Sequence, residues 1–403
     1  MSLNQLSNET VNKARFALYL VHIAMGLAIM APATRFSEIK EALNVDDAVF
    51  GYALALGSFG GIIGNAFATK FIARIGTRRA LQVFGIVMII VATLMAYSFT
   101  IYFFALLSLL ASASYGVLNA AFNTQGVEIE GYLKRSVLPG LHGAWNIGAL
   151  GTAFFANFVA SFLSPQVHLT IIGIVSALVL MYASIPLLHH DHVDEERSHF
   201  GKIPESSYSI ILFLSTGLAL GIIAETSALD WSSIYLRENL GIALGLNSVG
   251  VTVLLISKLI LLTLIGKWND KHGHDVIVRR LGIVGAIGYV SLIMITSYFA
   301  SDSGWFGTTK LFILTLMSFV VLAVGVSAIP AAYWLSAGKI PGMSTTRGIA
   351  IVGVMMAAVL LLLRPLFAFI AGSVGVEFAL AFTGITLMGS ALMSKHLRPV
   401  NAL

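Results

Sequence analysis

Twelve apolar stretches, each long enough to cross a bilayer and most joined by only a few residues, fill this chain, and one polar interruption divides them six and six. A hydrocarbon layer of ~30 Å needs about 20 apolar residues in helical form. The stretches lie near 15–34, 49–72, 80–98, 101–126, 138–162, 167–188, 208–232, 244–266, 280–299, 308–334, 348–373 and 377–394. Each is expected to be a helix, because an unpaired backbone group in hydrocarbon costs several kcal/mol, and a barrel would need short alternating strands. With 57% hydrophobic and 11% charged residues, the 403-residue chain carries more apolar surface than a soluble core could hide. The expected fold class is therefore an all-α membrane protein of twelve transmembrane helices. Residues 1–188 and 208–403 form two six-helix bundles joined by a cytoplasmic linker, 189–207. Met1 to Lys13 is polar and offers no cleavable signal, so the first helix is expected to stay in the mature protein.

Lys and Arg placement sets the expected orientation. Of the 24 basic residues, 18 fall on one side of this layout, and Arg35, Lys40, Arg237 and Lys310 fall on the other. Lys258 and Arg364 lie inside spans. With an even number of spans, both termini are expected in the cytoplasm. The formal net charge of +5 needs no nucleic-acid partner, since topogenic loop charges account for most of the basic residues. The absence of Cys excludes disulfides, thiolate metal sites and Cys nucleophiles. The linker carries His189, His190, His192 and His199 beside Asp191, Asp194, Glu195 and Glu196. A metal site is one interpretation of that run and a solvated linker the other, and the linker is preferred; no metal or cofactor is expected.

An internal repeat supports the division into halves. Between spans 8 and 9 the chain has Gly266-Lys-Trp-Asn-Asp270-Lys271-His-Gly273, and between spans 2 and 3 it has Thr69-Lys-Phe-Ile-Ala73-Arg74-Ile-Gly76-Thr-Arg78-Arg79. These loops resemble the signature of the major facilitator superfamily, G-x-x-x-D-[RK]-x-G followed by further basic residues. The second copy matches at Gly266, Asp270, Lys271 and Gly273. The first copy keeps Arg74, Gly76, Arg78 and Arg79 but has Thr69 and Ala73 where the pattern has Gly and Asp. The resemblance implies the major facilitator fold, two pseudo-symmetric six-helix bundles rocking about one midplane site, with Arg74, Gly76, Arg78, Asp270, Lys271 and Gly273 in gating turns. The family's first-half Asp helps hold the outward-open state, so Ala73 implies a weaker or differently built cytoplasmic latch. Arg35, the run Asn119 to Gly126, the run His142 to Gly148 and the run Glu225 to Leu236 are similar to a bacterial inner-membrane branch related to sugar:proton symporters.

Charged and polar groups inside spans are the site candidates, since a charge in hydrocarbon costs at least ~2.5 kcal/mol and persists where function or pairing requires it. At ~1.5 Å per residue, Lys258 and Asn146 both lie about 12 Å from the cytoplasmic side. Lys258 is the leading candidate, as a fixed ammonium for an anionic group of the substrate or as the partner of a titrating acid. By the same count Glu225 and Arg364 share a level about 24–25 Å deep. They form either a structural ion pair or a switch in which Glu225 carries the proton and Arg364 meets the substrate. Asp230 is a second proton-coupling candidate nearer the outer surface. His142 lies one turn before Asn146 and is a candidate proton relay, as is His22 to a lesser degree. Asn119, Asn123 and Gln125 can hydrogen-bond solute hydroxyls or neighbouring backbone. Trp145 is deep enough to stack on a solute, whereas Trp231, Tyr333 and Trp334 are assigned mainly to interfacial belts. Glycines of span 2 (Gly57, Gly60, Gly61 and Gly64) and span 5 (Gly143, Gly148 and Gly151) allow close helix approach, either at gates or within one half.

Together these features imply a proton-coupled secondary active transporter of a small polar or anionic organic solute in a bacterial inner membrane, working as a monomer. Its partners are the small-molecule substrate, protons and the lipid bilayer. Proton-antiport efflux of an amphiphile and a non-transporting membrane sensor are the alternatives. No Walker A sequence, HExxH or GxSxG occurs, which argues against an ATP-driven pump and an enzyme.

Overall fold

The computed structural model describes residues 7–133, 137–188, 205–300, 307–341, 343 and 345–397. The histidine-bearing part of the linker, 189–204, lies outside the described residues. Among the described residues thirteen α-helices run in chain order: α1 (Asn8–Met30), α2 (Phe36–Leu43), α3 (Asp47–Leu94), α4 (Ile101–Leu133), α5 (Leu138–Val159), α6 (Pro165–Ala183), α7 (Tyr208–Ile234), α8 (Val249–His272), α9 (His274–Ala300), α10 (Thr308–Val326), α11 (Ile329–Ala337), α12 (Thr345–Ser373) and α13 (Val376–Met393). Ten stretches of the described residues are long and apolar enough to cross a membrane. Two more helices, the 22-residue α5 and α8 with its apolar part Val249–Ile265, complete twelve spans. Large apolar side chains such as Phe154, Phe158, Leu178 and Leu362 are exposed, as expected where lipid is the solvent.

Local chemistry accounts for the departures from the expected boundaries. The first helix begins at Asn8, seven residues before the apolar stretch, because the Ser7 hydroxyl caps it by accepting from the Thr10 N–H at 3.2 Å. Spans 2 and 3 run as one helix, α3, interrupted at Gly76, whose φ of 78° and ψ of 160° leave the helical region. Gly273, at the matching point of the second repeat, ends α8 with φ 86° and ψ 148°. Such angles are nearly closed to residues with a Cβ, so both copies of the repeat make the same glycine turn. Span 10 is divided into α10 and α11, and Pro330 lies in the first turn of α11, where its missing N–H costs little.

The chain forms two compact units, Met1–Ile39 with Leu56–His199 and Lys40–Ala55 with Phe200–Leu403. In the first, small residues let backbones touch: a Cβ on Gly148 would lie 2.0 Å from the Ile23 carbonyl oxygen of α1, and one on Gly64 would lie 2.0 Å from that of Ala113 on α4. Gly61 and Gly143 have nothing within 4 Å of where a Cβ would be.

Two basic residues counted as loop charges are instead buried ion pairs. Arg35 is wholly buried; its Nε and Nη2 donate to the two carboxylate oxygens of Glu38 at 2.6 Å, and Nη2 also donates to the Leu163 carbonyl at 2.6 Å. Its Nη1 lies 3.3 Å from Nδ1 of His168. In the second unit, the Lys40 ammonium sits 2.5 Å from both Asp47 and Glu238. A count of charges along loops cannot see such partners, 198 residues apart in the case of Lys40 and Glu238.

Candidate functional site

The seam between α7 and α12 organises the second unit's polar groups. Ala219 and Ile223 of α7 meet Leu360 of α12 in a buried cluster, with Met356 and Leu363 packed against it. Arg364 follows Leu360 by four residues and Asp230 follows Ile223 by seven, so both fall on the seam one or two turns further along. There the two helices part around a recess lined by Thr226, Ser227, Asp230 and Arg364, with Trp231 and Phe367 beside them. The opening turns of α3 supply the far wall through Gly51, Leu54 and Ala55. That wall is held close because a Cβ on Gly51 would come within 2.6 Å of the Ala368 Cβ, and because Phe50 meets Trp231 edge-on with ring centroids 6.1 Å apart. Trp231 also contacts Phe367 at 5.2 Å.

Trp231 is thus 3% exposed, and Tyr333 is 1% exposed with its hydroxyl donating to the Ser390 carbonyl at 2.7 Å. Position near span ends assigns both to interfacial belts, but the structure makes both core residues of the second unit. Glycine is the reason for Tyr333, since Gly217 leaves the space the phenol ring occupies.

Glu225 does not pair with Arg364. Its carboxylate accepts from the Lys258 ammonium of α8, and both side chains are almost fully buried. Depth along an axis puts Glu225 level with Arg364, but rotation about that axis decides the partner. Glu225 and Asp230 are five residues apart, roughly 140° around the helix, so Glu225 faces α8 while Asp230 faces α12. Arg364 and Asp230 line the same recess. Neither Asp230 nor Arg364 forms a hydrogen bond or a direct ion pair among the described residues.

The first-unit candidates fall into two groups. Gln125 is wholly buried, and its Nε2 donates to the Thr77 hydroxyl at 2.8 Å and the Leu188 carbonyl at 2.7 Å, tying α4 to the start of span 3 and the end of span 6. Asn123 donates to the Asn119 carbonyl of its own helix at 2.8 Å, and Asn146 does the same to His142 at 2.9 Å. Those bonds use amide N–H groups only. Oδ1 of Asn146 and the indole N–H of Trp145 are buried without a hydrogen-bond partner among the described residues. His142 is exposed, while His22 is buried with its Nδ1 2.8 Å from the Leu18 carbonyl and its ring 4.0 Å from that of Phe122.

Of the turn residues, Arg74 and Lys271 are exposed and Arg78 is partly buried. Gly76 and Gly273 make the paired turns described above, and the Asp270 side chain lies outside the described residues.

Residues 18–306 match the Major Facilitator Superfamily. The chain belongs to that superfamily. This facilitator is 25% identical over 301 residues to an uncharacterised MFS-type transporter of Yersinia pestis, covering 72% of this chain and 74% of that protein. It is 24% identical over 222 residues to an uncharacterised transporter of Sinorhizobium fredii, covering 54% and 57%. Among solved structures it superposes on a D-xylose-proton symporter with a TM-score of 0.73 at 16% identity, covering 96% of this chain and 98% of that one. A nucleoside transporter superposes with a TM-score of 0.71 at 12% identity, covering 95% and 99%. At such identities the likeness shows the fold alone. The facilitator is therefore a multi-pass membrane transporter with the twelve-helix fold.

Sequence inspection missed Thr226 and Ser227 as cavity residues, and Glu38 and His168 as partners of Arg35. The signal for the first two was present: Thr226 and Asp230 are four apart and share a helix face.

Proposed function

We propose that this facilitator is a proton-coupled secondary transporter of a bacterial inner membrane, moving a small polar or anionic organic solute by alternating access. The buried Glu225–Lys258 ion pair carries this proposal. A proton taken up by Glu225 cancels the carboxylate and leaves the Lys258 ammonium uncompensated in a desolvated place, which costs several kcal/mol. An anionic group of the solute arriving at Lys258 removes that cost. Proton plus anion restores the net charge that the empty ion pair has, so the empty and fully loaded sites cross without net charge while either half-loaded site is penalised. That charge balance is the physical basis of obligatory coupling. A membrane potential of ~100 mV stores about 2.3 kcal/mol per charge, enough to drive accumulation where more than one proton accompanies the solute.

Within this scheme Asn146, Asn119, Asn123, Gln125 and Trp145 contribute hydrogen bonds and a stacking face for the solute, Arg364 an additional cation, and His142 and Asp230 further proton-accepting groups. The paired glycine turns with Arg74, Arg78, Asp270 and Lys271 act as the cytoplasmic gate, and residues 1–188 and 208–403 are the moving halves. Both termini are cytoplasmic and the unit of transport is the monomer.

The test is solute-induced proton movement in proteoliposomes of the full-length protein, followed with a pH dye across a panel of sugars, amino acids, carboxylates and amphiphilic drugs. Co-entry of protons with one solute class, abolished by Glu225→Gln, is expected. Uptake indifferent to the proton gradient, or wild-type coupling in Glu225→Gln, overturns the proposal.

A further inference from the structure

The recess between α7 and α12 holds a half-buried cation and acid that, unlike the buried cations of the described residues, do not touch a partner of opposite charge. Arg35, Lys40 and Lys258 each touch a carboxylate directly. Asp230 and Arg364 line one cavity with opposite charges, yet neither has a hydrogen bond or direct ion-pair partner among the described residues. The Ser227 hydroxyl beside them likewise makes no hydrogen bond among the described residues, although Ser227 is only 5% exposed. Thr226 donates its proton to the Ile222 carbonyl at 3.0 Å and keeps its lone pairs available. Asp230 and Arg364 are half-buried, so a polar solute can both reach them and supply the direct partners they lack.

The charges restrict what can enter. A solute with a lone carboxylate would satisfy the Arg364 guanidinium, which grips carboxylates in a two-pronged fashion, but would be repelled by Asp230. A lone amine would have the converse difficulty. A molecule bearing both groups a few ångströms apart satisfies the pair and enters without net charge. Trp231 and Phe367 give the recess an apolar flank, and the Gly51 wall keeps it narrow, which favours a short carbon skeleton.

We infer that the Thr226–Ser227–Asp230–Arg364 recess is a binding site for a small zwitterionic solute, its ammonium on Asp230, its carboxylate or sulfonate on Arg364 and a polar substituent on Ser227. This assignment rests on the transport proposal and sharpens it from polar or anionic solutes to one class. Asp230 lies five residues, about 7.5 Å along α7, from Glu225. A zwitterion carries no net charge, so its entry with a proton on Glu225 moves one positive charge, and its uptake draws on the membrane potential as well as the pH gradient, unlike that of an anion.

Thermal stabilisation of the full-length protein in detergent tests it without any gradient. The probes are L-serine, L-proline, glycine betaine and taurine, set against ethanolamine, L-lactate and glycerol as size-matched cationic, anionic and neutral controls. At least one zwitterion is expected to raise the melting temperature while all three controls fail. Asp230→Asn and Arg364→Lys are expected to weaken that response at least tenfold in midpoint concentration, and Ser227→Ala a few-fold, with melting in the absence of probe serving as the check on folding. No response to any zwitterion, an equal response to one of the controls, or an unchanged midpoint in folded Asp230→Asn overturns the inference. Should proton-coupled uptake of a different solute class persist beside such a failure, the zwitterion assignment falls and the transport proposal stands. Zwitterion binding with gradient-independent uptake leaves the binding site in place and removes the proton coupling.

Discussion

Glu225 on α7 and Lys258 on α8, 33 residues apart in sequence, close a buried ion pair inside the second unit. A pair of this kind adds little net stability over a well-packed apolar equivalent, because desolvation offsets the attraction. Breaking it is another matter. Lys258→Ala is expected to cost about 3–5 kcal/mol by stranding the carboxylate. The double substitution Glu225→Gln with Lys258→Met should recover most of that loss. Thermal unfolding of wild type and the two variants in one detergent checks both statements; a fully stable Lys258→Ala would show that the carboxylate has another partner.

Arg35 is held by geometry as much as by charge. Its guanidinium serves two oxygens of Glu38, the Leu163 carbonyl and His168 at once. A lysine keeps the charge but not the planar fork. Arg35→Lys should therefore lower thermal stability measurably, and Arg35→Ala by about 3–5 kcal/mol, since it also takes the cation away from both Glu38 oxygens and the donor from the Leu163 carbonyl. A lysine variant that melts with the wild type would reduce this cluster to simple charge pairing.

Two neighbouring glycines of α3 give opposite expectations. Gly64→Ala drives a methyl to within 2.0 Å of the Ala113 carbonyl oxygen, so α3 and α4 must separate, whereas Gly61→Ala meets nothing within 4 Å. Yield and melting temperature should fall for the first and stay level for the second. Equal behaviour of the two would contradict the α3–α4 contact.

The repeated turn is testable in the same way. Gly76→Ala and Gly273→Ala each force a Cβ into a backbone region that costs about 1–3 kcal/mol. Both should destabilise by similar amounts, because the angles are nearly the same, φ 78° and 86°. Differential scanning of the single variants provides the comparison.

The twelve spans and the repeat were legible in the sequence because hydropathy and glycine turns act over a few adjacent residues. So was the prominence of Lys258, Glu225 and Arg364, since charge in an apolar run is conspicuous whatever it touches. What the sequence hid was azimuth. Depth along α7 puts Glu225 level with Arg364, but the 100° turn per residue directs it to α8 instead. Lys40 and Arg35 were hidden for a related reason: each sits where a loop was expected, and partners at Glu238 and His168 come from distant parts of the chain. Trp231 and Tyr333 lie near the ends of spans, where belts are usual, and only the contacts of Phe50, Phe367 and Gly217 bury them.

Solute exchange and solute accumulation separate the movement of the carrier from its proton step. Proteoliposomes of wild type and Glu225→Gln are loaded with the solute that stabilises the protein, and radiolabelled exchange at equal pH is compared with uptake driven by an imposed pH gradient. If Glu225 is the proton carrier, the variant keeps exchange within a few-fold of wild type and loses gradient-driven accumulation. Accumulation retained by Glu225→Gln would show that the proton travels on another group.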